Sequence, residues 1–87
     1  MTSDKPARLT SAQVRAARAL LRWSQKTLAE ASNVSVPTIA RLELQDGPLS
    51  GTELTAVALR RALEEAGVEF IPANGGGPGV RLRGAES

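Results

Sequence analysis

The stretch Gln25-Lys26-Thr27-Leu28-Ala29-Glu30-Ala31-Ser32-Asn33-Val34-Ser35-Val36-Pro37-Thr38-Ile39-Ala40-Arg41-Leu42-Glu43 decides the fold. Ser24 precedes it as an N-cap, and Leu28 and Ala29 turn inward, which predicts a short helix over about 24–31. Ser32-Asn33-Val34 reads as a turn. Asn33 falls where the chain needs a left-handed backbone, which Asn tolerates better than most non-glycine residues. Ser35 caps a second short helix, about 35–44, and Pro37 lies in its first turn, where no intrahelical N–H is lost. Leu28, Val34, Ile39 and Leu42 lock the pair together, and Ala29 is small because a larger side chain would push the two helices apart. The free side of the second helix then carries Ser35, Val36, Pro37, Thr38 and Arg41.

Upstream, Leu9-Thr10-Ser11-Ala12-Gln13-Val14 is a strong helix start: Thr10 can cap, Gln13 can reach back as its capping-box partner, and Leu9 can staple onto Val14. The helix is expected over about 10–22, with Val14, Ala16, Ala17, Leu20 and Leu21 on one broad face and Arg15, Arg18 and Arg22 on another. Downstream, Gln45 to Leu49 is a loop. Ser50-Gly51-Thr52-Glu53 repeats the capping-box pattern, with Leu49 and Leu54 as a second staple. A fourth helix over about 50–66 would bury Leu54, Val57, Ala58, Leu59, Ala62 and Leu63 and stop at Gly67. Val68–Ile71 and Val80–Arg83 read as short strands around the loop 72–79. The expected organisation is a flexible arm over 1–8, a four-helix domain over 9–66, a β extension over 67–83 and a disordered tail over 84–87.

Composition bounds the chemistry. Eighty-seven residues make one small, mainly α domain, and with only 2% aromatics its core must be built from Leu, Val and Ala. The chain has neither Cys nor His, which excludes disulfides, thiolate metal sites and imidazole chemistry, and no metal or other cofactor is expected. Net charge is +2, divided as +4 over residues 1–44 and −2 over 45–87, so the helix pair lies in the positive half, which suits a polyanion. No membrane span or signal peptide is visible, and a cytoplasmic place, on the nucleoid of a bacterium, is expected. Glu53 and the pair Glu64-Glu65 form no acid–base site with a pocket, so no catalytic residue is assigned. Gly75 to Gly79 lacks the Lys-Ser/Thr ending of a phosphate-binding loop and reads as a turn.

Two helices joined in this way can lay the second into the major groove of double-stranded DNA while the first braces it across the backbone. Gln25, Leu28-Ala29, Val34-Ser35, Thr38-Ile39, Arg41 and Leu42-Glu43, with Leu20-Leu21 before them, resemble the phage-repressor and Cro type of helix-turn-helix regulator, the XRE family, over roughly residues 9–66. Asn33 departs from the Gly usual there, and the loop with Asp46, Pro48 and Gly51 lacks the family's basic residues. Arg41 leads as base reader, since Arg can give guanine two hydrogen bonds; a phosphate contact and a solvated position are the alternatives. Val36, Pro37 and Thr38 are expected as shape and methyl contacts to base edges. Ser24, Gln25, Lys26 and Ser35 are expected at phosphates, the first two also by the resemblance, and Arg22 and Arg15 are candidate backbone contacts. The resemblance implies that Arg18 pairs with Glu43, tying the first helix to the end of the third.

The tail looks like the β extension of a group of small bacterial regulators of this family, which implies dimerisation. An isolated hairpin is marginal in water, and pairing with a second copy would bury Phe70, Ile71, Val80 and Leu82 and set two recognition helices about 34 Å apart on a palindromic site. The alternative is a hairpin folded back against helix 4 in a monomer. The expected function is a dimeric, sequence-specific DNA-binding transcriptional regulator. Alternatives are an antitoxin or immunity repressor that also binds a protein partner, and an interaction module with a degenerate helix-turn-helix.

Overall fold

Thr10 sets where the first helix begins. In the computed structural model, which describes residues 8–84, its hydroxyl accepts from the Gln13 amide at 3.1 Å and its own amide donates to Gln13 Oε1 at 3.0 Å, closing a reciprocal capping box. Helix α1 runs Ser11–Leu21, α2 Gln25–Ser32, α3 Val36–Glu43 and α4 Glu53–Glu65, followed by strands β1 Val68–Ile71 and β2 Gly79–Leu82. The expected arm over 1–8 and tail over 84–87 lie outside the described residues except at Arg8 and Gly84. Arg8, assigned to that arm, is ordered: its guanidinium donates to the carbonyls of Leu49 and Gly51 and to Glu53.

The core is aliphatic. Val14 and Ala17 of α1, Leu28 of α2, Ile39 and Leu42 of α3, and Leu59 and Leu63 of α4 are buried together with Val68 and Phe70 of β1. Truncating any one of these leucines or Ile39 to Ala would cost about 2–5 kcal/mol, because a close-packed interior collapses only in part around the cavity. Trp23 packs half-buried against this cluster and Arg22, in a left-handed conformation (φ 59°), turns the chain from α1 into α2.

Two faces differ from the helical pattern read in the sequence. On α1, Ala16 and Leu20 are exposed, and the places beside Val14 and Ala17 are taken by Ser11 and Gln13. Both buried polar groups are satisfied, Ser11 by α3 and Gln13 by the hairpin, and so they enter the interior without an unpaired donor. On α4 the cap is Thr52, not Ser50; Thr52 Oγ1 accepts from the Thr55 amide at 3.2 Å. The Leu49 amide is tied to the Leu9 carbonyl at 2.9 Å and the Ser50 hydroxyl to Gln45, which keep that segment out of the helix until Thr52. Ala56 lies three and seven residues before Leu59 and Leu63 and so shares their buried side, whereas Leu54 and Val57 fall on the opposite side of the helix, and Leu54 stands 79% exposed. The staple expected between Leu49 and Leu54 does not form; Leu49 is buried in the core and Leu54 is in solvent.

Gly67 turns α4 into the hairpin with φ 111°, a conformation closed to most side chains, and its carbonyl accepts from the Arg83 amide at 2.8 Å. The strands pair antiparallel with Val68 opposite Leu82 and Phe70 opposite Val80 on one face, and Glu69 opposite Arg81 on the other. Alternation sends Val68 and Phe70 into the core and leaves the Glu69–Arg81 ion pair (2.8 Å) in water. The hairpin packs on α1 and α4 of its own chain. Gln13 Nε2 donates to the Gly79 carbonyl at 3.0 Å, so one side chain both completes the α1 cap and anchors β2.

Candidate nucleic-acid interface

Helices α2 and α3 are joined by a turn built from local bonds. Ser32 Oγ donates to the Leu28 carbonyl at 2.7 Å and accepts from the Val34 amide at 3.2 Å; Asn33 takes φ 63° as the α2 C-cap, and its amide donates to the Ala29 carbonyl at 2.8 Å. Ser24 and Ser35 cap the two helices through the amides of Thr27 and Thr38. Pro37 sits in the first turn of α3. Ile39, Leu42 and Glu43 point inward, and the opposite side presents Ser35, Val36, Pro37 and Arg41 to solvent, with Thr38 and Ala40 at its border.

The C-terminal end of α3 is held by three α1 side chains spaced one turn apart. Ser11 Oγ donates to the Leu42 carbonyl at 2.7 Å, an Arg15 Nη donates to the Glu43 carbonyl, and Arg18 grips the Glu43 carboxylate through Nε and Nη2, each at 2.8 Å. Arg18 Nη1 also donates to the Trp23 carbonyl at 2.8 Å. Residues i, i+4 and i+7 share a helix face, so a single stripe of α1 satisfies carbonyls that α3 cannot pair internally and sets positive charge at its negative dipole end. Glu43 is only 4% exposed. Burial pushes its carboxyl up, but the hydrogen bonds from Arg18 and Gln25 and the charges of Arg18 and Arg15 outweigh burial, leaving it below the usual carboxylate range. The same bond to Glu43 raises Arg18 against the smaller effect of its own burial.

This geometry separates the cationic candidates. Arg18 turns to Glu43 and is part of the scaffold; Arg15, a candidate backbone contact, stays exposed while one of its guanidinium nitrogens donates to the Glu43 carbonyl. Gln25, expected at a phosphate, has its amide nitrogen on Glu43 Oε1 at 3.0 Å, which uses one of its two N–H donors and leaves the other available. Arg22, Lys26 and Arg41 are exposed and make no ion pair among the described residues. Ser24 and Ser35 use their hydroxyls as caps. Ser11, Arg15 and Gln25 went unread as props of α3 because their partners lie 18 to 31 positions away; only the i, i+4, i+7 stripe beside the core face could have signalled it.

Of the expected dimerisation residues, Phe70 is 9% exposed within its own chain, with the Arg60 guanidinium 5.3 Å from its ring centroid. Ile71 and Val80 are partly covered, and Leu82 is 46% exposed. Folding back on α1 and α4 already gives Phe70 its apolar surroundings, so of the four Leu82 offers most free surface.

No group of His, Cys, Asp or Glu able to hold a metal occurs among the described residues, and no helix there is long and apolar enough to cross a membrane. A search of curated proteins returns no match. The family model described as "Helix-turn-helix" matches residues 14–67, which takes in the whole α2–turn–α3 unit, α4 and α1 from Val14 on. That span is well over half of the chain, and with the capped pair and its clamped second helix it shows that the protein belongs to the XRE-type helix-turn-helix family of DNA-binding regulators.

Proposed function

We propose that the protein is a sequence-specific transcriptional regulator that inserts α3 into the major groove of double-stranded DNA as a homodimer on a palindromic site. The observation that carries this reading is the outer side of α3: Val36, Pro37 and Arg41 stand free on a helix whose other side and far end are fixed by α1. A pre-positioned helix loses little freedom on docking, so its contacts count toward affinity. Arg41 reads guanine O6 and N7, while Val36, Pro37 and the Thr38 methyl meet base edges. Phosphates lie at Lys26, Arg22 and Ser35 and at the start of α2, where Ser24 caps Thr27 and leaves the amides of Gln25 and Lys26 without an intrahelical acceptor. Leu82 and the open strand edge of the hairpin form the subunit contact.

Fluorescence anisotropy with labelled duplexes over a salt series tests this. With two or three unpaired cations per chain, log K should fall with log salt at a slope of about −2 to −3 per chain, about −5 for a dimer. No complex with mixed genomic duplexes at about 50 mM salt overturns the reading. A second reading, an antitoxin or immunity repressor that holds a protein partner as well, is favoured by the outer face of α4, where Leu54 and Val57 are exposed near Ala31 and Asn33. Its test is a Leu54→Glu chain, which should keep DNA affinity and lose a partner that co-purifies with the natural one.

A further inference from the structure

Leu44 follows α3 and is 86% exposed, the most exposed large apolar side chain among the described residues. Its backbone is still helical (φ −83°, ψ −11°) and its amide donates to the Arg41 carbonyl at 3.3 Å, so it continues the angular progression of α3. At about 100° per residue it falls between Ala40 and Arg41 and within a few tens of degrees of Pro37, on the middle of the free side. It is also firmly seated. Ser11 and Arg15 hold the carbonyls of Leu42 and Glu43, the two residues before it, and the Gln45 amide donates to the Leu42 carbonyl.

We infer that Leu44 is a specificity-determining residue, packing its side chain on a thymine methyl in the major groove. The inference rests on the DNA-binding reading above and extends it beyond the start of α3. Leucine has no hydrogen bond to offer a phosphate or a base edge, and the one apolar group that the groove floor presents is the C5-methyl of thymine. Seven residues of helix separate Leu44 from Pro37, about 10 Å, or about three base-pair steps. The favoured thymine therefore lies within about three steps of the pair met by Pro37, toward the C-terminal end of α3. The bonds at the helix end fix the Leu44 backbone, so its side chain reaches one base-pair position and not several.

The test starts from a duplex selected out of a random library by the full chain, in which each thymine is replaced in turn by deoxyuridine, removing one methyl and nothing else. At one thymine per half-site the natural chain should lose about fourfold in affinity, the worth of one buried methyl group. Leu44→Ala should bind the thymine and uracil forms of that site alike, with unchanged circular dichroism and unchanged mass. Leu44→Met, which keeps apolar length, should retain most of the discrimination. A selected site without thymine in that register overturns the inference. So does a Leu44→Ala chain that keeps the full thymine preference, or one whose mass changes while its thymine preference does not, which would assign Leu44 to a subunit contact. In those cases salt-dependent DNA binding survives; failure to form any complex removes the DNA reading itself.

Discussion

Replacing Arg18 by Ala should cost the fold about 3 kcal/mol, for reasons visible in the clamp it makes. Its guanidinium meets both carboxylate oxygens of Glu43 at 2.8 Å and the Trp23 carbonyl at 2.8 Å. Removing one partner of a buried ion pair typically costs about 3–5 kcal/mol, most of it the penalty of leaving the other charge uncompensated. Here Gln25 still donates to Glu43, and the 22% exposure of the Arg18 side chain lets water into the gap, which favours the lower end. A domain of this size has roughly 5–10 kcal/mol in all, so melting followed by circular dichroism should fall by about 15 °C. Replacing the pair together, Arg18→Met with Glu43→Leu, removes both charges and should recover much of the loss. Acidification supplies a further check. Glu43 is held below the ordinary carboxylate value of 4.5 in the folded chain, so its contribution is complete above that value and fades as pH falls through the folded one. Without Arg18, burial would dominate and raise the same carboxyl. The gap between natural chain and Arg18→Ala should thus be widest near neutrality and narrow in acid. A single variant that melts within about 3 °C of the natural chain, or a double variant less stable than the single, refutes the reasoning.

Arg41→Ala should lower affinity for a selected operator by about 1–3 kcal/mol while sparing nonspecific duplex; equal loss on all DNA in a binding titration would make Arg41 a phosphate contact instead. Gln13→Glu keeps the acceptor that Thr10 uses but cannot donate to the Gly79 carbonyl, so hydrogen exchange should quicken in β1 and β2 while the start of α1 stays protected. Leu82→Lys should convert a dimer to the 9.1 kDa monomer by light scattering with the fold intact. Deleting 68–87 is a poorer probe of association, because it strips Val68 and Phe70 from the chain's own core and should unfold much of the protein.

What was legible in the sequence was what local chemistry decides. Thr10 with Gln13, Ser24, Asn33, Ser35 and Pro37 each act within four residues of their partners, and each stands where its capping or turn chemistry requires. The Ser50-Gly51-Thr52-Glu53 pattern misled for the opposite reason. The bonds that hold Ser50 outside α4 come from Gln45 and, through Leu49, from Leu9, neither of which a four-residue signature contains. The inward place of Ala56 instead of Leu54 has a simpler cause: Ala56 is in i, i+3 and i+7 register with Leu59 and Leu63, and Leu54 is not. Phe70 and Leu82 look alike in an alternating pattern, yet the packing of α1 and α4 covers one and leaves the other open.

The arginines of α1 show why charge alone is a weak guide to a nucleic-acid surface. Arg15, Arg18 and Arg22 read as one basic stripe, and counting all three toward DNA with Lys26 and Arg41 would give five cations. The fold divides them by position. Arg15 and Arg18 lie one and two turns beyond Ser11 on the face that meets α3, so their charge is met by the Glu43 carbonyl, the Glu43 carboxylate and the negative end of the α3 dipole. Arg22 comes after the last helical turn, in a left-handed cap, and keeps its charge in solvent. The single carboxylate offsets Arg18 alone, so Arg15 still adds to the surrounding field, and both arginines fix the helix proposed to do the reading. The modest net charge of the chain is therefore compatible with a specific interface: more of the binding free energy is assigned to a rigid, mainly apolar α3 surface with a single arginine, and less to a field of phosphate contacts.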